Sequence, residues 1–387
     1  TMAHHRFSGI ADPRDDFSYE GSIHPQSVRK ALILLSSCLI GIGIGLNGSL
    51  SDRHSSQVAV ALHAQVVESD PLLEIQQLLD AGQYPEAIET AEALLSEQET
   101  TWGTDDVRVM PLLNLLGILH KAMGNWEMAE GYYERLLTQR DWEVFDPNGS
   151  NRAVVIHNLA ELYREQAKYD EAEPLYIEAI EILEPLIGTL DPGLLCIRNT
   201  QAALYRELGD LEQAATLHQL VAVGREQALG LDHPDMGTSW YNLASIYKAQ
   251  GQLEEAERLA QQALDVKVSA YGETHPDVAT VLNLLGNLYR EQGEFEAAAV
   301  SLERTLNIRQ QLWGTSHPLI AHVLNNLGVL ANAQDDRTQA QDYVTQALNI
   351  ANETLGREHP DTHKILDNQQ QLSESSRSSA ELFVFGR

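Results

Sequence analysis

Apolar residues recur along the chain with the spacing of amphipathic helices, and the same helical pattern returns several times. Leu159, Ala160 and Tyr163 fall on one face of a predicted helix, and equivalent residues follow in later segments. A small residue then interrupts the pattern, after which an alanine lies on a second helix. Small residues at these positions allow two antiparallel helices to approach closely. The pattern therefore predicts helix pairs, and it is clearest in 158–176, 241–260 and 283–302.

A glycine, followed four residues later by a proline, marks the loop between successive helix pairs. The glycines recur every 42 residues, at Gly188, Gly230, Gly272, Gly314 and Gly356. Glycine can end a helix in the left-handed conformation, and proline suits the first turn of the next helix. Four loops also carry a histidine: His233, His275, His317 and His359. Because metal ligands must converge and these residues are spread along the array, we interpret them as structural and expect no metal site.

This pattern resembles the tetratricopeptide repeat, in the 42-residue form of the kinesin light chain family and of many similar bacterial proteins, cyanobacterial ones especially. The resemblance covers residues 71–373, about three quarters of the chain. It implies an all-α superhelix, or solenoid, of about seven helix pairs, closed by a capping helix. The pairs are expected near 71–98, 106–140, 150–184, 192–228, 234–270, 276–311 and 318–354, and the cap at 360–373.

Three places depart from the repeat pattern. The stretch 141–152 does not fit the loop consensus, so we expect a kink or an insertion there. Gln201 stands where the repeats favour leucine. In the last repeat Ala331, Asp335 and Arg337 replace the tyrosine, the glycine and an aromatic residue, which predicts looser packing.

Residues opposite the packing face of each first helix are expected to line the concave groove of the superhelix. They form one series of asparagines and one of basic residues. The predicted peptide-binding residues are Asn158, Arg164, Asn199, Arg206, Asn242, Lys248, Asn283, Asn287, Arg290, Asn325 and Asn326. An asparagine amide can match the C=O and N–H groups of an extended peptide, and an arginine can bind a carboxylate. Groove asparagines hold peptide backbones in similar tetratricopeptide proteins, and the resemblance implies that role here.

Two alternatives remain open for these residues. The asparagines could be solvated polar residues, although asparagine is a poor helix former and its repetition within helices then lacks a motive. The basic residues Arg164, Arg206 and Arg290 could pair with neighbouring glutamates or with acids of adjacent repeats instead of with an acidic ligand.

The N-terminal region has a different composition from the repeats. Residues 1–30 are polar, which predicts a disordered N-terminus; 31–50 are largely apolar, and 51–70 read as a linker. We expect 31–50 to be an uncleaved membrane anchor rather than a cleaved signal, a lipoprotein signal or a buried helix. Basic residues precede this segment and are absent between Arg53 and Arg108, which predicts repeats on the periplasmic side, with the cytoplasm as the alternative. The tail 374–387 is expected to be disordered.

The charge and the missing motifs restrict the function. A formal net charge of −30 disfavours nucleic acid as a partner. The two cysteines, Cys38 and Cys196, suggest no disulfide framework, and no phosphate loop or nucleophile motif is present in the sequence. We therefore expect no enzyme and no cofactor, but a scaffold that binds a protein or peptide in its groove. The alternative is a structural assembly factor of a membrane complex that acts through its convex surface.

Overall fold

The computed structural model describes residues 71–139, 142, 146 and 148–384, with side chains described as far as Ser373. The predicted N-terminus 1–30, anchor 31–50 and linker 51–70 lie outside this range. Within it the chain forms fifteen α-helices, a short 3-10 helix and no β-strand. The prediction of an all-α repeat chain is thus confirmed for these residues. Among them, no helix is long and apolar enough to cross a membrane.

The chain divides into two compact units, whose described parts are 71–204 and 205–384. The first unit contains α1 (Pro71–Asp80), α2 (Tyr84–Trp102), a 3-10 helix (Val107–Val109), α3 (Met110–Ala122), α4 (Trp126–Leu137), α5 (Ser150–Glu165), α6 (Tyr169–Ile187) and most of α7 (Pro192–Leu208). The second unit contains α8 (Leu211–Leu229), α9 (Pro234–Ala249), α10 (Leu253–Tyr271), α11 (Pro276–Gln292), α12 (Phe295–Trp313), α13 (Pro318–Ala333), α14 (Arg337–Thr354) and α15 (Pro360–Val384). The seven helix pairs begin and end within four residues of the predicted ranges.

The last helix is longer than expected, because α15 continues to Val384 through part of the segment 374–387 that was expected to be disordered. No glycine or proline occurs between Asp361 and Phe385, so no residue there forces the helix to end.

In three of the helix pairs, a glycine on the first helix allows the second helix to pack directly against it. A Cβ atom built on Gly286 would lie 2.6 Å from Leu302 Cγ, and Gly117 and Gly328 stand equally close to Tyr133 and Val344. No side chain fits between the helices at these positions, so the large residue of the second helix fills the space itself. This is the close approach that the repeated small residues predicted.

The loop histidines act as N-terminal caps. His233 Nδ1 accepts a hydrogen bond from the backbone N–H of Asp235 at 3.2 Å, and the same bond begins α11, α13 and α15. The ring of His275 also stacks on Tyr271, with the ring centroids 4.2 Å apart. A capping acceptor satisfies a backbone donor that the helix leaves unpaired. These bonds support the interpretation of the histidines as structural.

The irregular stretch before α5 holds a different cap. Asp146 is buried and accepts hydrogen bonds from the Arg152 backbone N–H at 2.9 Å and from Ser150 Oγ at 3.2 Å. Trp142 is also buried, and its indole N–H donates to the Leu136 carbonyl oxygen at 2.9 Å. An aspartate and a tryptophan thus take the place of the usual Gly–Pro loop.

A candidate peptide-binding groove

The predicted asparagines of the first unit bond from one first helix to the next. Asn158 on α5 donates through Nδ2 to Asn114 Oδ1 on α3, at 3.1 Å. His157, the neighbour of Asn158 on α5, connects this helix to the next first helix, because its Nε2 lies 3.0 Å from Thr200 Oγ1 on α7. These side chains are half-buried, so the contacts lie on a face that solvent reaches.

The second unit repeats this arrangement. Asn326 on α13 donates to Asn283 Oδ1 on α11 at 2.9 Å, and Asn368 on α15 donates to Asn325 Oδ1 at 3.0 Å. The donor lies 44 residues after the acceptor in the first unit and 43 residues after it in the second, slightly more than the repeat length. We refer to Asn114–Asn158, Asn283–Asn326 and Asn325–Asn368 as the amide pairs. They give the asparagines a structural role that the sequence pattern did not reveal.

The other predicted asparagines are placed differently. Asn199 on α7 and Asn242 on α9 are half-buried on the first helices of their repeats. Asn287, which was expected to line the groove, is only 6% exposed. It lies between Gly286 and Leu288, which are both buried, so the close packing of this turn covers its amide. Asn287 is therefore less accessible than the other predicted asparagines, which are half-buried.

The basic residues of the first unit are neutralised by glutamates. Lys121, which the sequence analysis missed, places Nζ 2.9 Å from Glu161 Oε2 and 3.1 Å from Glu165 Oε1. Burial alone would raise the pKa of Glu161, but the charges of Lys121, His157 and Arg164 outweigh it and lower the pKa to about 2. The predicted groove residue Arg164 thus lies within electrostatic range of a carboxylate that is ionised at neutral pH.

The second unit shows the same compensation. Lys248 Nζ and Arg290 Nη2 lie 3.7 Å and 3.2 Å from the same Glu291 Oε1. The side chain of Lys248 is only 8% exposed. Arg206 lies beside His218, whose pKa is lowered to about 3 by burial and, to a smaller extent, by Arg206 and Arg225. Both Lys248 and Arg290 thus lie beside a glutamate, which is the alternative that the sequence analysis left open for Arg290.

Sequence reasoning missed three residues of this face, namely Asn114, Lys121 and Asn368. A signal for them was present, because they continue the asparagine and basic series by one repeat in either direction. The bonds between repeats could not be foreseen in the same way, since the spacing between donor and acceptor depends on how successive helix pairs stack.

The amide pairs still have free bonding capacity. Each pair uses one N–H and one oxygen lone pair, whereas each asparagine amide offers two N–H donors and two lone pairs. The pairs also fix the direction of the amides, because each is held between two helices. Each unit therefore presents oriented, uncharged donors and acceptors, together with ion pairs between basic residues and glutamates.

Family models for the tetratricopeptide repeat match most of the helical region. One model matches residues 151–222, 193–268 and 235–311, a second matches 320–361 and a third matches 112–143. Together they cover more than half of the chain. The comparison with curated proteins gave no match.

Solved structures of repeat proteins are similar to this chain. A tetratricopeptide repeat protein from Parabacteroides merdae is 17% identical over 78% of this chain and 98% of its own, with a TM-score of 0.53. BtubC (BKLC) from P. vanneervenii is 29% identical over 62% of this chain and 92% of its own, with a TM-score of 0.49. A kinesin light chain-related protein from Podosopora anserina is 24% identical over 53% of this chain and 97% of its own, with a TM-score of 0.47.

Proposed function

Since the chain belongs to the tetratricopeptide repeat family, we propose that it is a non-catalytic scaffold that binds an extended segment of a partner protein along its amide pairs. Proteins built from such repeats are generally scaffolds for protein partners. The amide pairs carry the finer part of the proposal. They offer free N–H donors and lone pairs at repeating intervals on a half-buried face, and a peptide backbone needs such partners.

The partner's main chain, rather than its charge, is the feature that this face would recognise. The cations that would attract an acidic peptide already hold Glu161, Glu165 and Glu291. Breaking these pairs to bind an acidic peptide would leave the half-buried carboxylates of Glu161 and Glu291 without their cations. A net charge of −30 also repels acidic partners and nucleic acids at long range.

Partner capture by the full-length chain tests the groove. We expect Asn158→Ala combined with Asn326→Ala to lose a partner that the unchanged protein retains, because both substitutions remove the donor of an amide pair. Asn349→Ala is the matched control, since Asn349 is exposed on α14 and takes no part in a pair. Helix content measured by circular dichroism should stay constant in all variants. A partner that remains bound to the double variant would refute groove binding.

The second candidate is assembly of a membrane complex through the opposite, convex surface. Exposed apolar side chains on second helices favour it, for example Val300, which is 66% exposed, and Val223, which is 46% exposed. Val300→Asp and Val223→Asp would abolish partner capture in that case, while the asparagine variants would leave it intact.

Membrane tethering through residues 31–50, with the repeats on the periplasmic side, is a further part of the proposal. Its support is the apolar composition of that segment and the distribution of basic residues around it. Fractionation of cells, followed by protease treatment of the outer face, tests it. Protein recovered entirely from the soluble cytoplasm would exclude the tether.

A further inference from the structure

A second series of cations lies near the C-terminal ends of the second helices, four residues before the last residue of each. Arg225, Lys267 and Arg309 are 42 residues apart, and each contacts the first turn of the helix that follows. Lys267 Nζ lies 2.6 Å from Asp277 Oδ2 and 3.0 Å from Thr238 Oγ1. Arg225 donates to Ser239 Oγ at 2.9 Å. Each buried or half-buried cation thus has side-chain oxygens near it in these two repeats.

Arg309 is the exception in the series. The second residue of the following helix is an aspartate at positions 235, 277 and 361, but it is Leu319 after Arg309. Among the described residues, Arg309 makes a single hydrogen bond, from Nη1 to the Leu319 carbonyl oxygen at 2.9 Å, and no ion pair. Its side chain is nevertheless buried, with 6% of the residue exposed.

The surroundings of Arg309 disfavour its charge. Burial lowers the pKa of Arg309 to about 10, against a smaller opposing effect of Tyr241, so the guanidinium is still ionised at neutral pH. Among the described residues, no carboxylate pairs with it. A buried charge is costly unless it is paired and hydrogen-bonded. The backbone N–H groups of the adjacent turn are already used, because Leu319 N–H and Ile320 N–H both donate to His317. The guanidinium of Arg309 has further N–H groups besides the one that bonds to Leu319, and these can donate to an added acceptor.

The preceding repeat shows how a carboxylate meets a buried cation at this position. In the preceding repeat the carboxylate that meets Lys267 belongs to Asp277, whose side chain is 40% exposed, while that of Lys267 is only 6% exposed. An acid in the equivalent place beside Arg309 would likewise face solvent on one side. A carboxylate also matches the two parallel donors that a guanidinium presents.

We propose that Arg309 is the receptor for one acidic side chain, aspartate or glutamate, of a bound partner, which would take the place that Asp277 holds beside Lys267. This inference rests on the proposed scaffold function. It adds a specific anchor to a surface whose other contacts are made by uncharged amides.

Acetate, which presents the side-chain carboxylate alone, is the probe for this site. Thermal unfolding of the full-length protein is followed in sodium acetate, in sodium chloride of equal ionic strength, and with acetamide as the uncharged analogue. At an acetate concentration equal to its dissociation constant, we expect a twofold rise in the folding equilibrium constant. Chloride and acetamide should not produce it.

Two variants decide whether Arg309 is responsible. Arg309→Met should remove the acetate response, and Leu319→Asp should replace it, since that aspartate supplies the missing carboxylate within the chain. Leu319→Asn and Lys267→Met are the controls that should keep the response. An equal response in wild type and Arg309→Met, or no response in wild type, would overturn the proposal. Neither outcome would affect groove binding, because the asparagine variants test that separately.

Discussion

Ala167 and Asp335 adopt a left-handed backbone conformation, with φ of 56° and 63°. The turn between the two helices of a pair has glycine at this place in the neighbouring repeats, for example Gly251 with φ of 76°. Non-glycine residues other than asparagine and aspartate rarely adopt this conformation, because Cβ approaches the carbonyl oxygen. Ala167 is therefore a strained position. From the sequence, a departure from glycine was noted only at Asp335.

We predict that Ala167→Gly stabilises the protein by about 1 kcal/mol, since glycine removes the left-handed strain. Gly251→Ala is the mirror experiment and should destabilise by a similar amount. A Cβ at Gly251 would meet no atom within 4 Å, so only the backbone conformation changes. Urea unfolding followed by circular dichroism measures both free energies. If both substitutions changed the free energy of unfolding in the same direction, left-handed strain at this position would not explain the result.

His218 is a second residue with a measurable effect on stability. Burial and, less strongly, Arg206 and Arg225 lower its pKa from 6.5 to about 3. The folded protein thus keeps the ring neutral, whereas the unfolded chain takes up a proton once the pH falls below 6.5. The contribution of His218 to stability is therefore complete above pH 6.5 and is lost as the pH falls toward 3.

Replacing His218 by leucine should remove this pH dependence. Leu302 fills the equivalent position two repeats later, so leucine suits the site. Between pH 7 and pH 5 we expect wild type to lose about 2 kcal/mol more than His218→Leu, from 1.36 kcal/mol for each pH unit below 6.5. Unfolding free energies measured at both pH values give the difference. A constant difference between the two proteins would show that the pKa of His218 is not lowered.

At the scale of elements, the amide pairs connect first helices of successive repeats. Asn326→Ala leaves Asn283 Oδ1 without its donor, so we expect a loss of about 1 kcal/mol in unfolding free energy. Asn283→Ala in the Asn326→Ala background should then cost much less, because the bond is already absent. Asn349→Ala, on the exposed face of α14, serves as the control. Strictly additive losses would mean that the two amides do not interact.

The boundaries of the helices follow largely from the conformational preferences of individual residues in the sequence. Gly272 and Pro276 end one helix and begin the next by their own backbone preferences, which is why the helix ranges could be predicted closely. The bond of Asn326 to Asn283 depends on the stacking of two helix pairs, a non-local quantity. The burial of Asn287 likewise depends on packing against other helices and not on its own place in the repeat. Side-chain pairing between repeats therefore required the structure.

At the scale of the whole molecule, acidic residues outnumber basic ones by 56 to 26. Ion pairs such as Arg258–Glu255 are exposed and each contributes about 0–1 kcal/mol at most. The unpaired excess of 30 negative charges repels itself in the folded chain, and salt weakens repulsion between exposed charges more than it weakens half-buried pairs. Repulsion should therefore dominate the response of this protein to salt.

We predict that the unfolding temperature rises with sodium chloride through the range in which the screening length falls from about 30 Å to about 8 Å. Potassium chloride should have the same effect at equal concentration, since screening depends on ionic strength and not on the cation. A fall in the unfolding temperature would mean that local pairs, Lys121–Glu161 foremost, outweigh the net charge. A rise would imply that a basic partner stabilises the protein by neutralising its surface. The rate at which such a partner associates should then decrease as salt is added.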